Sequence, residues 1–140
     1  MMRDEMLEVW RQWQDVFARR DVHALADLYS DTAVFETPMA GSLTGREGII
    51  QAHNTFFGAF PDAVLTAEPP IIDDGRIAVV AELAATHVGS FMGLPPTGKA
   101  IGFLLVVLLE VRDHRIVRDR RIYDFTGFLV QVGVLKARPA

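Results

Sequence analysis

The chain has 140 residues, half of them hydrophobic, with 14 Lys and Arg against 18 Asp and Glu, a formal charge of −4. That is the composition of one globular domain, expected to span residues 1–140, and its negative balance removes the long-range attraction that would bring nucleic acid or anionic lipid to it. The absence of cysteine excludes disulfides, thiolate nucleophiles and thiolate-held metal clusters, so stability has to come from the core, and a cytoplasmic location is the expectation.

Met6, Val9, Trp10, Trp13, Val16 and Phe17 recur at three- and four-residue steps and predict an amphipathic helix ending near Arg20. Asp21 is placed to cap a second, short helix with Leu25, Leu28 and Tyr29 inward. Thr32 to Thr37 is β-prone and stops at Pro38, a first strand. Thr44-Gly45-Arg46-Glu47 has the form of a capping box and opens a helix carrying Ile49, Ile50, His53, Phe56, Phe57 and Phe60, ended by Pro61. The second half changes period. Val64 to Ile72, Arg76 to His87, Lys99 to Val111 and Arg115 to Tyr123 predict four strands, with tight turns at Asp73-Asp74-Gly75 and Arg112-Asp113-His114 making antiparallel hairpins. A last helix runs from Asp124 to Gly133, and the final residues through Ala140 form a loose tail. No apolar run approaches the roughly 20 residues that a membrane helix needs. Helices early and a meander late give an α+β fold, with three to four helices packed on a curved, mostly antiparallel sheet that encloses a pocket.

Several chemistries recede on inspection. Gly93-Leu94-Pro95-Pro96-Thr97-Gly98-Lys99 imitates the start of a phosphate-binding loop, but Pro95 and Pro96 carry no N–H, Ala100 stands where a hydroxyl is needed, and a strand follows. The serines, Ser30, Ser42 and Ser90, sit in no Gly-x-Ser-x-Gly elbow, and no Gly-x-Gly-x-x-Gly follows a strand. His23, His53, His87 and His114 are about 30 residues apart, without the short spacing that puts two metal ligands on one helix face. What remains is acid–base work by carboxylate and imidazole, or binding without chemistry.

Alternation along the last strand groups Ile116, Arg118, Arg120, Ile122 and Asp124 on one side, and Val117, Asp119, Arg121 and Tyr123 on the other. Both sides hold charge, so the period does not say which faces the core. Asp124, next to Phe125 and Phe128, serves as a helix cap, as a carboxylate of raised pKa in an apolar cleft, or as both. Glu82 interrupts an apolar strand and reads as a solvated position or as half of an ion pair with Arg118 or Arg120. His87 reads as a rim histidine, and His53 either lines the pocket or edges the core. Trp13, Tyr29, Phe57 and Phe60 read as core aromatics that can also wall a cavity.

These residues carry a resemblance. Asp31 after Leu28-Tyr29, Gly45-Arg46-Glu47-Gly48-Ile49, Phe60-Pro61-Asp62, the run from Thr86-His87 to Gly98-Lys99, and Asp124-Phe125-Thr126-Gly127 through Gln131-Val132-Gly133 are together similar to SnoaL-like polyketide cyclases, also called ester cyclases, of the NTF2-like superfamily. The resemblance runs along nearly the whole chain. It implies a conical α+β barrel around a deep apolar cavity, assembly as homodimers or larger homo-oligomers and no cofactor, and with it a small hydrophobic ligand or substrate; the histidine spacing gives no metal. It also implies intramolecular aldol ring closure of a hydrophobic carbonyl compound, with Asp124 at the position of the acid/base aspartate and His87 matching a shared residue. Arg120, Glu82, His53, Phe57, Phe60, Trp13, Phe125 and Phe128 are then the expected substrate contacts. In the cyclases a strand near the aspartate brings further polar groups into the cavity; here Ile101 to Leu109 brings none. Two other readings stand beside this one: a non-catalytic pocket for an apolar metabolite, and an epoxide hydrolase-like site, which needs an Asp–Arg–Asp cluster around water.

Overall fold

In a computed structural model residues 2–136 are described, and the end of the expected tail, through Ala140, lies outside them. The first stripe forms α1 (Arg3–Ala18), burying all six of its predicted apolar residues, and the Asp21 carboxylate accepts from Ala24 N to start α2 (Val22–Ala26). The strands β1 (Tyr29–Thr37) and β2 (Gly41–Thr44) make a hairpin. Then come α3 (Arg46–Ala59), β3 (Val64–Ala67), β4 (Ile71–Asp73), β5 (Arg76–Thr86), β6 (Ala100–Arg112), β7 (Arg115–Tyr123) and α4 (Phe125–Val132).

The sheet runs β2-β1-β7-β6-β5-β3, with β4 also on β5. Every pairing is antiparallel except β1 with β7. β2 and β3 do not meet, so the sheet curls without closing, and the expected α+β class holds with an open rather than a fully barrelled sheet. Both tight turns form as expected: Asp74 and Gly75, and likewise Asp113 and His114, have positive φ, the conformation that matches the right-handed twist of the flanking strands. Among the described residues no helix is long and apolar enough to cross a membrane.

Three local expectations need correction. Thr44 does not cap α3. It belongs to β2, opposite Val34, and the cap position falls to Gly45 at φ 85°, which bonds Ala33 O through its own N–H. The single strand expected over Val64 to Ile72 is two, because Pro69 and Pro70 cannot donate to the β5 ladder. The strand β2 was not expected, since its four residues carry little β-propensity and pair only with β1.

A bulge in β7 decides the site. Val111 pairs with Ile116 but Glu110 pairs with Arg118, so Val117 is an extra residue and the alternation changes phase there. Ile116 and Asp119 are therefore both buried, although the sequence period sets them on opposite sides. The long loop from His87 to Lys99 is stitched to α3: Val88 and Gly89 both donate to Ala59 O, and a Cβ on Gly89 would lie 2.1 Å from Gly58 O. That loop carries Phe91 and Met92 to the open end of the fold. At the other side, the Gln131 amide bonds both N and O of Gly102 at 2.7 and 2.9 Å, which holds α4 on β6.

Candidate functional site

Between the concave face of the sheet and the helices α1 and α3 lies a cavity of about 290 Å³. Its floor and walls are Trp13 and Phe17 from α1, Phe35 from β1, His53 and Phe56 from α3, Leu83 from β5, Phe103 and Leu105 from β6, and Arg121 and Tyr123 from β7. Exposed or half-exposed residues at its mouth, Met39, Ala40, Gln51, Thr55 and Met92, come from three separate segments. Two methionines in the rim give it an adaptable apolar edge.

Among the described residues one ionised side chain reaches this surface. Arg121 is 13% exposed and its guanidinium is sandwiched by aromatic faces, 5.3 Å from the Trp13 ring and 4.6 Å from Phe35. A relay of hydrogen bonds fixes it from behind. Trp13 Nε1 donates to Tyr29 Oη at 3.0 Å, and Tyr29 Oη donates to Asp119 Oδ2 at 2.5 Å. Arg121 Nη2 donates to the same Oδ2 at 3.1 Å and to His53 Nε2 at 2.9 Å. His53 Nδ1 lies 2.7 Å from Ile49 O, a carbonyl that can only accept, so the imidazole carries its proton on Nδ1 and offers Nε2 to the arginine.

The electrostatics follow from burial. Desolvation, and after it the Arg121 charge, push the His53 pKa down to about 3, so the imidazole is neutral throughout the physiological range. Burial and then the Asp119 charge raise the Tyr29 phenol well above its ordinary value, leaving it a permanent donor. Burial opposes the Arg121 charge, but Asp119 and Tyr29 outweigh it and hold the guanidinium above its usual range. Asp119 is fully buried, and its Oδ1 has no partner among the described residues. Arg121 Nε is in the same state, and no acceptor among those residues reaches Nη1.

Of the residues expected from sequence, Trp13 and His53 line the cavity and the rest do not. Asp124 is exposed at the N-cap of α4, where Oδ1 accepts from Gly127 N at 2.9 Å; the cap role holds, and the carboxylate is outside the cavity lining. Asp124→Ala is expected to cost about 1 kcal/mol in denaturant unfolding and to leave ligand affinity in the cavity unchanged. His87 is buried rather than on a rim, with Nδ1 2.9 Å from Thr97 Oγ1 and its ring 5.5 Å from that of Phe60, and it pins the base of the long loop. Phe60, Phe125 and Phe128 form an aromatic cluster beside the cavity, and Phe57 packs on Phe17. Arg120 and Glu82 point to the outer face of the sheet and do not pair with each other; Arg120 Nε is 3.5 Å from Glu36 Oε2. Among the described residues no His/Cys/Asp/Glu cluster suits a metal ion. Arg121 and Asp119 are the candidate pair that the sequence reading missed. Their signal was present, as two opposite charges two residues apart on one side of a strand, but the bulge hid which side was inward.

A family model for SnoaL-like polyketide cyclases matches residues 7–132. AclR from Streptomyces galilaeus, described as a candidate hydroxylase, superposes with a TM-score of 0.84 at 23% identity over 99% of this chain and 87% of its own. A SnoaL-like protein from Jannaschia sp. CCS1 gives 0.83 at 19% identity, over 97% and 94% of the two chains. IdmH from Streptomyces antibioticus, a candidate polyketide cyclase, gives 0.75 at 28% identity, over 90% and 96%. No curated protein matches the chain in sequence. A candidate hydroxylase and candidate cyclases share this fold, and architecture by itself leaves the reaction open. With nine-tenths of its length inside the family model and a cavity walled by the sheet and the first and third helices, the chain belongs to the SnoaL-like polyketide cyclase family.

Proposed function

We propose that this protein promotes an enolate-driven ring closure of a flat, hydrophobic compound that carries a 1,3-dicarbonyl unit and a further, remote carbonyl, with Arg121 holding the oxygen on which negative charge develops. The observation that supports this reading is a lone guanidinium on the wall of an apolar cavity, oriented by a buried carboxylate and two aromatic faces, with Nη1 left for a ligand. A preorganised donor in a dry site is worth far more to a developing oxyanion than the same donor in water, because it needs no reorganisation as the charge appears.

Among the described residues the wall carries no carboxylate, and His53 is a poor base, its Nε2 lone pair being engaged by Arg121. The substrate must therefore be acidic in its own right, as a carbon between two carbonyls is. Its C–H proton passes to water at the mouth, beside Gln51 and Thr55, while the electron pair moves into an enolate whose oxygen is paired with Arg121. The enolate carbon then bonds to a third, remote carbonyl carbon of the same molecule, that carbonyl becomes an alkoxide, and the alkoxide takes a proton from water, so the product is an isomer of the substrate. Phe35, Phe56, Phe103 and Tyr123 set the folded pose in which the two carbons meet.

A hydroxynaphthalene is a spectroscopic probe of the central step, since its absorbance reports ionisation. Bound in the cavity it is expected to ionise about one unit or more below its free value, as an acid beside a fixed cation does. In Asp119→Asn/Arg121→Met, which removes both charges, the shift is expected to vanish. A bound probe with unchanged ionisation in the native protein refutes the oxyanion role and favours a pocket that binds without chemistry.

A further inference from the structure

The loop between β5 and β6 ends in a turn whose backbone does not suit its sequence. The base of the loop is fixed, with His87 N donating to Lys99 O at 2.9 Å and Gly98 N to His87 O at 2.8 Å. At its tip Phe91 and Leu94 exchange both backbone hydrogen bonds, at 3.0 and 2.8 Å, so Met92 and Gly93 are the central residues of a two-residue turn, at φ 51° and 76°. A turn with both central residues at positive φ favours Asn or Asp followed by Gly, because a larger side chain crowds its own backbone there. Gly93 meets that demand and Met92 does not. Core packing gives no reason for the methionine either. Phe91 is buried against Phe60 and Phe128, with ring centroids 5.3 and 5.8 Å away, and the half-buried Leu94 packs on the core, whereas Met92 is 61% exposed. What the Met92 side chain does reach is the mouth of the cavity.

We propose that Met92 is a ligand-contact residue, whose thioether closes over the apolar end of a ligand at the mouth and gives preference to ligands long enough to reach it. A non-glycine residue held in left-handed backbone costs stability, and it persists where the surrounding structure imposes it, most often beside a site. The flanking residues do impose it here, Phe91 and Leu94 from the core and His87 with Lys99 from the loop base, so the thioether stands at a fixed place before any ligand arrives. The volume points the same way. At about 290 Å³ the cavity is at the lower end of ligand pockets, which run from roughly 300 to 1,000 Å³. A ligand anchored at Arg121 fills it, and any further length emerges between Met92 and Met39, which belongs to the turn between β1 and β2. A polarisable sulfur on a flat ring is a favourable contact that tolerates variation in shape, and a preset turn spares the ordering cost of making it. The inference rests on the flat, hydrophobic ligand proposed above, but not on its ionisation.

Fluorescence titration with two probes tests this: a hydroxynaphthalene, and its analogue extended by a phenyl group at the ring end remote from the hydroxyl. Met92→Asn is expected to weaken binding of the extended probe about fivefold or more, the loss of one thioether–ring contact and its buried area, and to change binding of the short probe less than about twofold. The same variant is expected to raise the urea midpoint, since asparagine tolerates the left-handed conformation that methionine resists. Met92→Leu, which restores an apolar side chain, is expected to bind the extended probe within about threefold of the native chain. Equal losses for both probes, no loss for either, or a lower urea midpoint in Met92→Asn each overturns the proposal, the last because it would give the side chain a role in holding the fold. Weaker self-association of Met92→Asn with unchanged probe binding also overturns it, by assigning the side chain to a contact between copies. Failure of the oxyanion reading shows separately, as unchanged ionisation of the bound short probe.

Discussion

Arg121→Met is expected to destabilise the fold by about 3–5 kcal/mol, and Asp119→Asn by a comparable amount, both read as a fall in the denaturant midpoint at constant slope. Each change leaves the other member of a 3.1 Å ion pair without its counter-charge, in a place where water cannot replace it: Asp119 is fully buried and Arg121 is nearly so. The double variant Asp119→Asn/Arg121→Met should cost about 2–3 kcal/mol less than the sum of the singles, because no orphan charge remains and the Asn oxygen still accepts from Tyr29. A coupling near zero would mean that the two charges do not sense one another, and that Arg121 is held by its aromatic neighbours alone. The pair as a whole adds little net stability compared with apolar residues of the same size, since two desolvated charges, an unpartnered Oδ1 and an unpartnered Nε offset the attraction between them. A costly arrangement of this kind is what a site needs when it must keep one cation fixed in a greasy wall, and that is why it carries the proposed function.

Most of the architecture was legible in the sequence because it is written in period and punctuation. The α1 stripe, the Asp21 and Asp124 caps, the two positive-φ turns and the left-handed Gly133 are local signals, and each acts where it is found. The errors came where a distant partner decides. Thr44 has a capping-box sequence, yet pairing with Val34 holds it in a strand and leaves Gly45 at the helix start. The site suffered most from this. Two-residue alternation from Ile116 places Arg121 away from it, but the extra residue Val117 changes the phase, and Asp119, Arg121 and Tyr123 join Ile116 on the inner side. A bulge is fixed by the register of two strands, which no single-strand pattern contains. Glu82 is the converse case: its charge was read as solvated or as paired with Arg118 or Arg120, and the sheet keeps it exposed, two strands from both arginines.

Stability is expected to fall by about 2 kcal/mol between pH 7.5 and pH 5 through His53 alone, and by about twice that at pH 3.5. The sign follows from which state takes up the proton. His53 has a folded pKa of about 3 against 6.5 for an unconstrained histidine, so between those values the unfolded chain binds a proton that the folded chain refuses. Its contribution is thus complete above pH 6.5 and is lost as pH falls toward 3. The refusal has two sources, the aromatic burial between Phe17 and Phe35, and the Arg121 guanidinium that already donates to Nε2 and would face an N–H in the imidazolium. Urea unfolding of the native chain and of His53→Gln at both pH values isolates the residue, since carboxylates titrate alike in the two proteins and the difference in slope belongs to position 53. The variant should be less stable at pH 7.5 and lose much less on acidification, so that the two curves converge toward pH 5. Parallel curves would mean that His53 takes its proton in the folded state near pH 6.5, which would place an N–H against Arg121 and break the relay that orients the guanidinium.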